Sequence, residues 1–479
     1  MLGKKNSENI KEKKYLSKKV KRLEKRLLKL VEENRRLSNF EPYSVISTES
    51  NKITSIQEFK SIRVVCLFVV LTGVSYRSVP KILSFFNNHF SLGLPFIPHF
   101  TSIINWSSRL GLGLLKMVKP ITESWVAIID HSINFGTMKA LIVLRVPTDV
   151  LAQKGKAIQL SDCECIGIKI SDKVNGESIA LDLEEIFKNA GSPIAIIKDC
   201  DSTLKKGCRL FLENTKQDIQ MIEDIGHVTG NALKSQFEKT RRFKLFTRLT
   251  TAAANKLRQI DLAFAIPPKL RTKGRFQSIS QLGNWSKKIL EIFENAGKVQ
   301  KGSQIEKLKK ILPGFIGFKP FIESFFQTTN ITAQIMEILK SKGLNQETYT
   351  ISIELLNGLP KLSKVKIKLT AWLDKHLQIQ KVILCKTLPV SSDIIESLFG
   401  IYKRVNERNP HSEMNRSTLL IPVLCGALNE SKIIQALALT SQKDINEWVK
   451  ANIPYTIAQK RREFFMQNGG QKWGQEKIA

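Results

Sequence analysis

The sequence predicts an α/β protein with a mixed five-stranded sheet and flanking helices, a large helical insertion within it, and an all-α region before it. Three observations predict this. Apolar residues between positions 125 and 225 fall in short strand-like runs, helical-period segments separate the later runs, and residues 235–385 look helical almost throughout. At 479 residues, 42% of them hydrophobic, the chain is long enough for several domains and at least one sizeable core.

The elements follow in order. After a polar linker near Phe40 to Ser55, the run ending Leu71-Thr-Gly-Val-Ser-Tyr-Arg-Ser-Val-Pro80 reads as helix, glycine turn and a short helix from about Ser75. That is the pattern of a helix-turn-helix, with Tyr76 and Arg77 at the end where recognition helices meet base edges. A second helical unit spans 98–110. Strands are predicted over Trp125 to Asp130, Met138 to Val146 and Cys165 to Ile170, the first two joined by the polar link Ser132-Ile-Asn-Phe-Gly136. A helix from Ser178 to Asn189 closes on Ala190-Gly191 and leads through Pro193 into a strand, Ile194 to Ile197. Helix Ser202 to Leu212, strand Asp218 to Ile225 and a helix from Asn231 complete the series.

Charge points to the partner. With 75 Lys plus Arg against 43 Asp plus Glu, the formal charge is +32, a field that a polyanion such as double-stranded DNA would offset. Two stretches concentrate it: residues 1–40 hold 14 basic and 5 acidic residues, and residues 234–320 hold 20 and 5. In the second stretch Arg241, Arg242, Lys244 and Trp285 are candidate DNA contacts, with Phe243, Phe246 and Phe276 interleaved as stacking surfaces. Within the first, Leu16, Val20, Leu23, Leu27, Leu30, Asn34 and Leu37 form the a/d seam of a short coiled coil. A parallel homodimer and a lone amphipathic helix both fit that seam.

Several classes are excluded by composition. The longest apolar run, Val64 to Val70, is far below the roughly 20 residues of a membrane span. The N-terminal Met1-Leu-Gly-Lys-Lys-Asn lacks an apolar stretch behind its charges, so a cytoplasmic protein is expected. Seven scattered cysteines fit reduced core thiols better than a disulfide framework, and Cys163-Glu-Cys165 lacks zinc-knuckle spacing.

The strand and helix order β-β-β-α-β-α-β-α is that of a ribonuclease H-like core, whose sheet sets the first and fourth strands side by side. Asp130 ends the first strand and Asp199 lies just past the fourth, so two carboxylates distant in sequence project at one sheet edge. Close carboxylates repel, and a divalent cation is the economical reason to place them together. A third hard oxygen ligand is offered by Glu396 on the amphipathic segment 390–403, with Ile395, Leu398, Phe399 and Tyr402 on its apolar side. Lys403, two turns beyond Glu396, is placed to hold a DNA phosphate.

Over roughly residues 56–425 the chain resembles the DDE transposases of bacterial insertion sequences. Carrying the resemblance are Ile128-Ile-Asp130, Lys198-Asp-Cys-Asp-Ser-Thr-Leu-Lys-Lys-Gly207, Glu223-Asp-Ile-Gly-His227 and Ser392-Asp-Ile-Ile-Glu396. It implies a triad of Asp130, Asp199 and Glu396 that binds Mg²⁺, with Mn²⁺ able to substitute. It also implies end cleavage and strand transfer on double-stranded DNA, a homodimer or higher oligomer, and a bacterial, nucleoid-associated location. The implied domains are a basic arm (1–40), a helix-turn-helix-like region (56–115), the first part of the core (120–234), a helical insertion (235–385) and a segment with the glutamate helix and C-terminal helices (386–479). Asp201 stands as a rival ligand to Asp199, and Asp224 and His227 as accessory residues. Pro389 and Ser392 occupy positions where some relatives carry Tyr and Arg. A catalytically inactive DNA-binding protein and a ribonuclease H-like nuclease are the alternatives.

Overall fold

The computed structural model describes residues 56–90, 94, 96–117, 124–135, 138–270, 276, 278–297, 299–406 and 414–468, together with Val20 and Glu24. Apart from Val20, the heptad seam lies outside the described residues. Contacts divide the chain into two units, Met1–Thr54 and Ser55–Ala479, and every element named here belongs to the second.

Three helices open it: α1 (Ile56–Leu71), α2 (Ser78–Phe90) and α3 (Phe100–Lys116). Gly73, with φ of +83°, makes the predicted turn, but the second helix starts at Ser78 rather than near Ser75. Tyr76 therefore lies in the turn, and its side chain is buried in the main core. The expectation that it reads base edges is corrected: burial raises its hydroxyl pKa, and it packs inward. Arg77 is exposed, its guanidinium 4.7 Å from the centre of the Phe100 ring.

The sheet has five strands, β1 (Trp125–Phe135), β2 (Met138–Pro147), β3 (Glu164–Ser171), β4 (Ala195–Lys198) and β5 (Gln220–Glu223), in the order β3-β2-β1-β4-β5. β1, β2 and β3 pair antiparallel, while β4 and β5 run parallel to β1. Those parallel steps need crossovers, which are α4 (Gly176–Ala190) before β4 and α5 (Ser202–Thr215) before β5. This mixed sheet with flanking helices fits the ribonuclease H-like core expected from the sequence.

Two boundaries differ from expectation. Residues 132–135 of the segment read as a polar link, Ser132 to Gly136, continue β1: after a register shift between Asp130 and Ile133 the strand pairs on, Ile133 opposite Ala140 and Phe135 opposite Met138. At the other edge, β5 stops at Glu223, because the Asp224 side chain caps a new helix, α6 (Ile225–Phe237), well before Asn231.

Alternate residues of each strand feed opposite cores. From β1, Val126 and Ile128 enter the main core, while Trp125, Ala127 and Ile129 enter a smaller one with Leu183 and Phe187 of α4 and Leu204 and Phe211 of α5. β4 divides likewise, Ile197 to the main core and Ile196 to the smaller.

The described elements between β5 and residue 382 are helical: α6, α7 (Arg241–Leu257), α8 (Ser280–Asn295), α9 (Gln304–Ile311), α10 (Lys319–Lys342), α11 (Gln346–Asn357) and α12 (Lys364–Val382), with short 3-10 turns. An aromatic core binds them. Phe243 stacks on Phe276 at 5.6 Å, Phe321 on Phe325 at 5.4 Å, and Phe246 lies 5.3 Å from Phe321. Phe243, Phe246 and Phe276 are all buried, so the expectation that they stack on bases is corrected to a packing role. Trp285 is half-buried; it donates its indole N–H to the Ala265 carbonyl at 3.0 Å and packs edge-on with Phe315.

α12 also closes the open edge of the sheet. The His376 Nε2 accepts the Glu223 N–H at 3.1 Å, and the Trp372 indole donates to the Glu223 carbonyl at 3.1 Å. Side chains thus take backbone groups that an edge strand would otherwise offer to another chain.

The last helices are α13 (Asp393–Asn406), α14 (Glu430–Ala438), α15 (Gln442–Asn452) and α16 (Ile457–Asn468). Glycines let α3 press against this end of the chain: a methyl built on Gly111 would lie 1.7 Å from the Leu419 carbonyl oxygen, and one on Gly113 2.0 Å from that of Ala436. Arg109 adds bonds to the carbonyls of Leu437 at 2.7 Å and Thr440 at 2.9 Å. All seven cysteines are free thiols, six of them buried, as expected for reduced core residues.

Candidate active site

The parallel register places the first two carboxylates. Ile128 stands opposite Ile197 and Ile129 opposite Lys198, so Asp130 and Asp199 come next, level with each other, where the two strands cease to pair. By alternation both belong to the sheet face of Ile128 and Ile197, and α13 packs against β1 with Ile395 and Leu398 in that same core. Asp130 is the last residue before the irregularity in β1, and its Oδ1 accepts the His131 N–H at 2.6 Å.

Asp199 turns the chain out of β4, its Oδ1 accepting the Asp201 N–H at 2.8 Å. Asp201 has a different task. It caps α5, its Oδ1 accepting the N–H groups of Thr203 at 2.8 Å and Leu204 at 3.0 Å. Burial works to raise the Asp201 pKa, but these bonds and the charge of Lys139 outweigh it and hold the carboxyl below its ordinary value. Lys139 also acts on His131, whose pKa burial, with that charge, drops to about 4 despite Asp201. This lysine was not singled out in the sequence, where nothing marks a single cation near the start of an otherwise apolar strand.

Glu396 sits in a second acidic cluster. Around the foot of α6, a methyl built on Gly226 would lie 3.1 Å from Asp224 Oδ1, 3.7 Å from Lys340 Nζ and 3.8 Å from Asp393 Oδ1. Lys340 and Asp393 form an ion pair. Although Glu396 reaches solvent, the protein packed about it raises its pKa, Asp393 and Asp224 adding to the effect while His227 and Lys340 oppose it.

Asp224 is buried and fully engaged, accepting the Ser392 N–H at 2.6 Å and hydroxyl at 3.1 Å on one oxygen and the His227 N–H at 2.7 Å on the other. The accessory residue of the sequence reading is thus a positioning residue for the segment entering α13. The apolar side of that helix is as expected, with Ile395, Leu398, Phe399 and Tyr402 buried, and Lys403 is half-buried. Among the described residues no group of three or more His, Cys, Asp or Glu side chains is gathered closely enough to hold a metal ion. As hard oxygen donors the carboxylates suit Mg²⁺, but Asp130, Asp199 and Glu396 do not form one ligand set as they stand.

The chain is similar in structure to one in the Drosophila P element transposase strand transfer complex. Identity is 11%, the TM-score is 0.40, and the match covers 89% of this chain and 99% of that one. No family model and no curated protein matches.

Of the expected DNA contacts, Arg77, Arg241, Arg242 and Lys244 are exposed, the last three on the first turn of α7. Among the described residues, no helix is long and apolar enough to cross a membrane.

Proposed function

We propose that this chain is a DNA transposase that cleaves the ends of an insertion element and joins them to target DNA, with Asp130, Asp199 and Glu396 as its catalytic carboxylates. The observation that carries the reading is the level placement of Asp130 and Asp199 where the parallel neighbours β1 and β4 cease to pair, on the face against which the Glu396 helix packs. Building such a pair of like charges is costly, and catalytic sites are where that cost is commonly met.

As hard oxygen donors, Asp130, Asp199 and Glu396 would suit Mg²⁺, with Mn²⁺ as a substitute, once brought into one ligand set. The chain's own residues have simpler tasks. Lys403 and the exposed Arg241, Arg242 and Lys244 neutralise backbone phosphates, while Arg77 and the turn before α2 meet the element end. A homodimer or larger assembly would hold two ends together.

One observation favours a second reading, a catalytically inactive DNA-binding protein with the same fold: Glu396 stands among Asp393, Asp224, His227 and Lys340, and among the described residues no three such side chains gather to hold a metal ion. Incubation with an end-bearing duplex and Mg²⁺ separates the cases. Joined products that vanish in Asp130→Ala, Asp199→Ala and Glu396→Gln support the transposase, cutting without joining indicates a nuclease, and retention without chemistry indicates a binder. Unchanged cleavage in Asp130→Ala overturns the site.

A further inference from the structure

The opposite face of the sheet carries a second concentration of charge. A cavity of about 610 Å³ lies between α5, the β4–β5 edge and α12, lined by Lys198, Lys205, Lys206, Arg209 and Lys375 with Glu223 as the one carboxylate of its lining. Three of these cations have partners: Lys205 with Glu223 at 3.2 Å, Lys206 with Glu177 at 2.6 Å and Arg209 with Glu213 at 3.5 Å. Lys198 is different. It is only 2% exposed, yet among the described residues its ammonium makes no ion pair or hydrogen bond.

Its side chain is enclosed by protein but lines the cavity, so an anion placed there would meet an ammonium with no competing partner among the described residues. Alternation sets Lys198 on the face of Ile196, opposite that of Ile197 and hence of Asp130 and Asp199. The cavity is therefore not an extension of the carboxylate site. Its floor is apolar, made by Leu212, Met221 and the Cys208 thiol, and its size falls within the roughly 300 to 1,000 Å³ of small-molecule sites.

We propose that this cavity is a second ligand site, which takes a free phosphate ester of nucleotide size. Lys198 and Lys375 meet the phosphates, and the apolar floor receives the planar body of the ligand. A strand of DNA is the other possible source of phosphate, but the partly apolar lining and the limited volume of the cavity, on the face away from the carboxylates, favour a small ligand.

The test is titration calorimetry on the full chain in EDTA, which removes any contribution from divalent ions, with ATP, inorganic pyrophosphate and adenosine as probes. ATP is expected to bind, pyrophosphate to compete with it, and adenosine to bind far more weakly. Lys198→Met and Lys375→Gln should each weaken ATP binding by about tenfold or more, the loss of one charge-assisted contact, while Asp130→Ala leaves it unchanged. Should Lys198→Met fail to fold, the exposed Lys375 decides the matter. Absence of ATP binding, affinity unaltered in Lys375→Gln, or a cavity occupied only by duplex DNA that ATP does not displace would each overturn the proposal.

Discussion

The carboxylate of Asp224, at the foot of α6, accepts the backbone N–H of Ser392 at 2.6 Å, joining the end of the sheet to the start of the Glu396 helix. The same side chain caps α6 through the His227 N–H, so a single buried acid fixes two helix entries. Asp224→Ala leaves those donors unsatisfied and is expected to cost about 3 kcal/mol, read by urea unfolding. Asp224→Asn, which keeps one acceptor, should cost less. Equal stability of the alanine variant and the parent would show that α13 is held by its apolar face alone.

Close packing of α3 gives a second prediction. Gly111→Ala and Gly113→Ala force a methyl into backbone carbonyl oxygens and should destabilise by about 3 kcal/mol or more. Gly400 in α13 has nothing within 4 Å of such a methyl, so Gly400→Ala should instead stabilise by roughly 0.5 to 1 kcal/mol through helix propensity. Thermal unfolding of the three variants checks the contrast.

Acid should weaken the fold through His376. Buried against Trp372, this imidazole has its pKa lowered to about 4, burial being the main cause, and it accepts the Glu223 N–H only when neutral. An unfolded histidine takes up its proton near pH 6.5, so the stability from His376 is whole above that value and drains away as pH falls toward 4. The loss is of the order of 3 kcal/mol. Unfolding midpoints between pH 7.5 and 4.5 should drop steeply in the parent and less in His376→Gln.

DNA affinity should depend steeply on salt. Each phosphate neutralised adds about 0.9 to the slope of log affinity against log salt, and Arg241→Glu with Arg242→Glu should both weaken binding and flatten that slope. Trp285→Phe should leave affinity unchanged, since its indole N–H is spent on Ala265. Fluorescence anisotropy at several salt concentrations measures both, and a large loss in Trp285→Phe would return the tryptophan to the DNA surface.

The strand order was readable because short apolar runs such as Ala195 to Ile197, buried on both faces, are bounded by turn residues such as Gly191 and Pro193. Residues 131–135 were not, since their continuation of β1 depends on pairing with β2 across an irregular step rather than on their own pattern. The start of α6 was missed for a related reason: Ile225 suits a strand, and only the Asp224 cap turns it into a helix. Tyr76, Phe243 and Phe246 illustrate a different limit, because an aromatic ring suited to stacking on a base is equally suited to a core. Where Glu396 lies relative to Asp130 and Asp199 depends on long-range packing, to which helix amphipathicity is blind.

The main core draws Ile128 and Ile142 from the sheet and Ile395, Leu398 and Tyr402 from α13, segments separated by the whole helical insertion. During synthesis the sheet therefore emerges from the ribosome well before the helix that covers its inner face. A nascent chain halted within the insertion leaves a greasy surface uncovered, a natural target for chaperones and a starting point for aggregation. Prematurely terminated copies should accordingly be cleared or precipitate rather than accumulate as soluble competitors of the full-length chain.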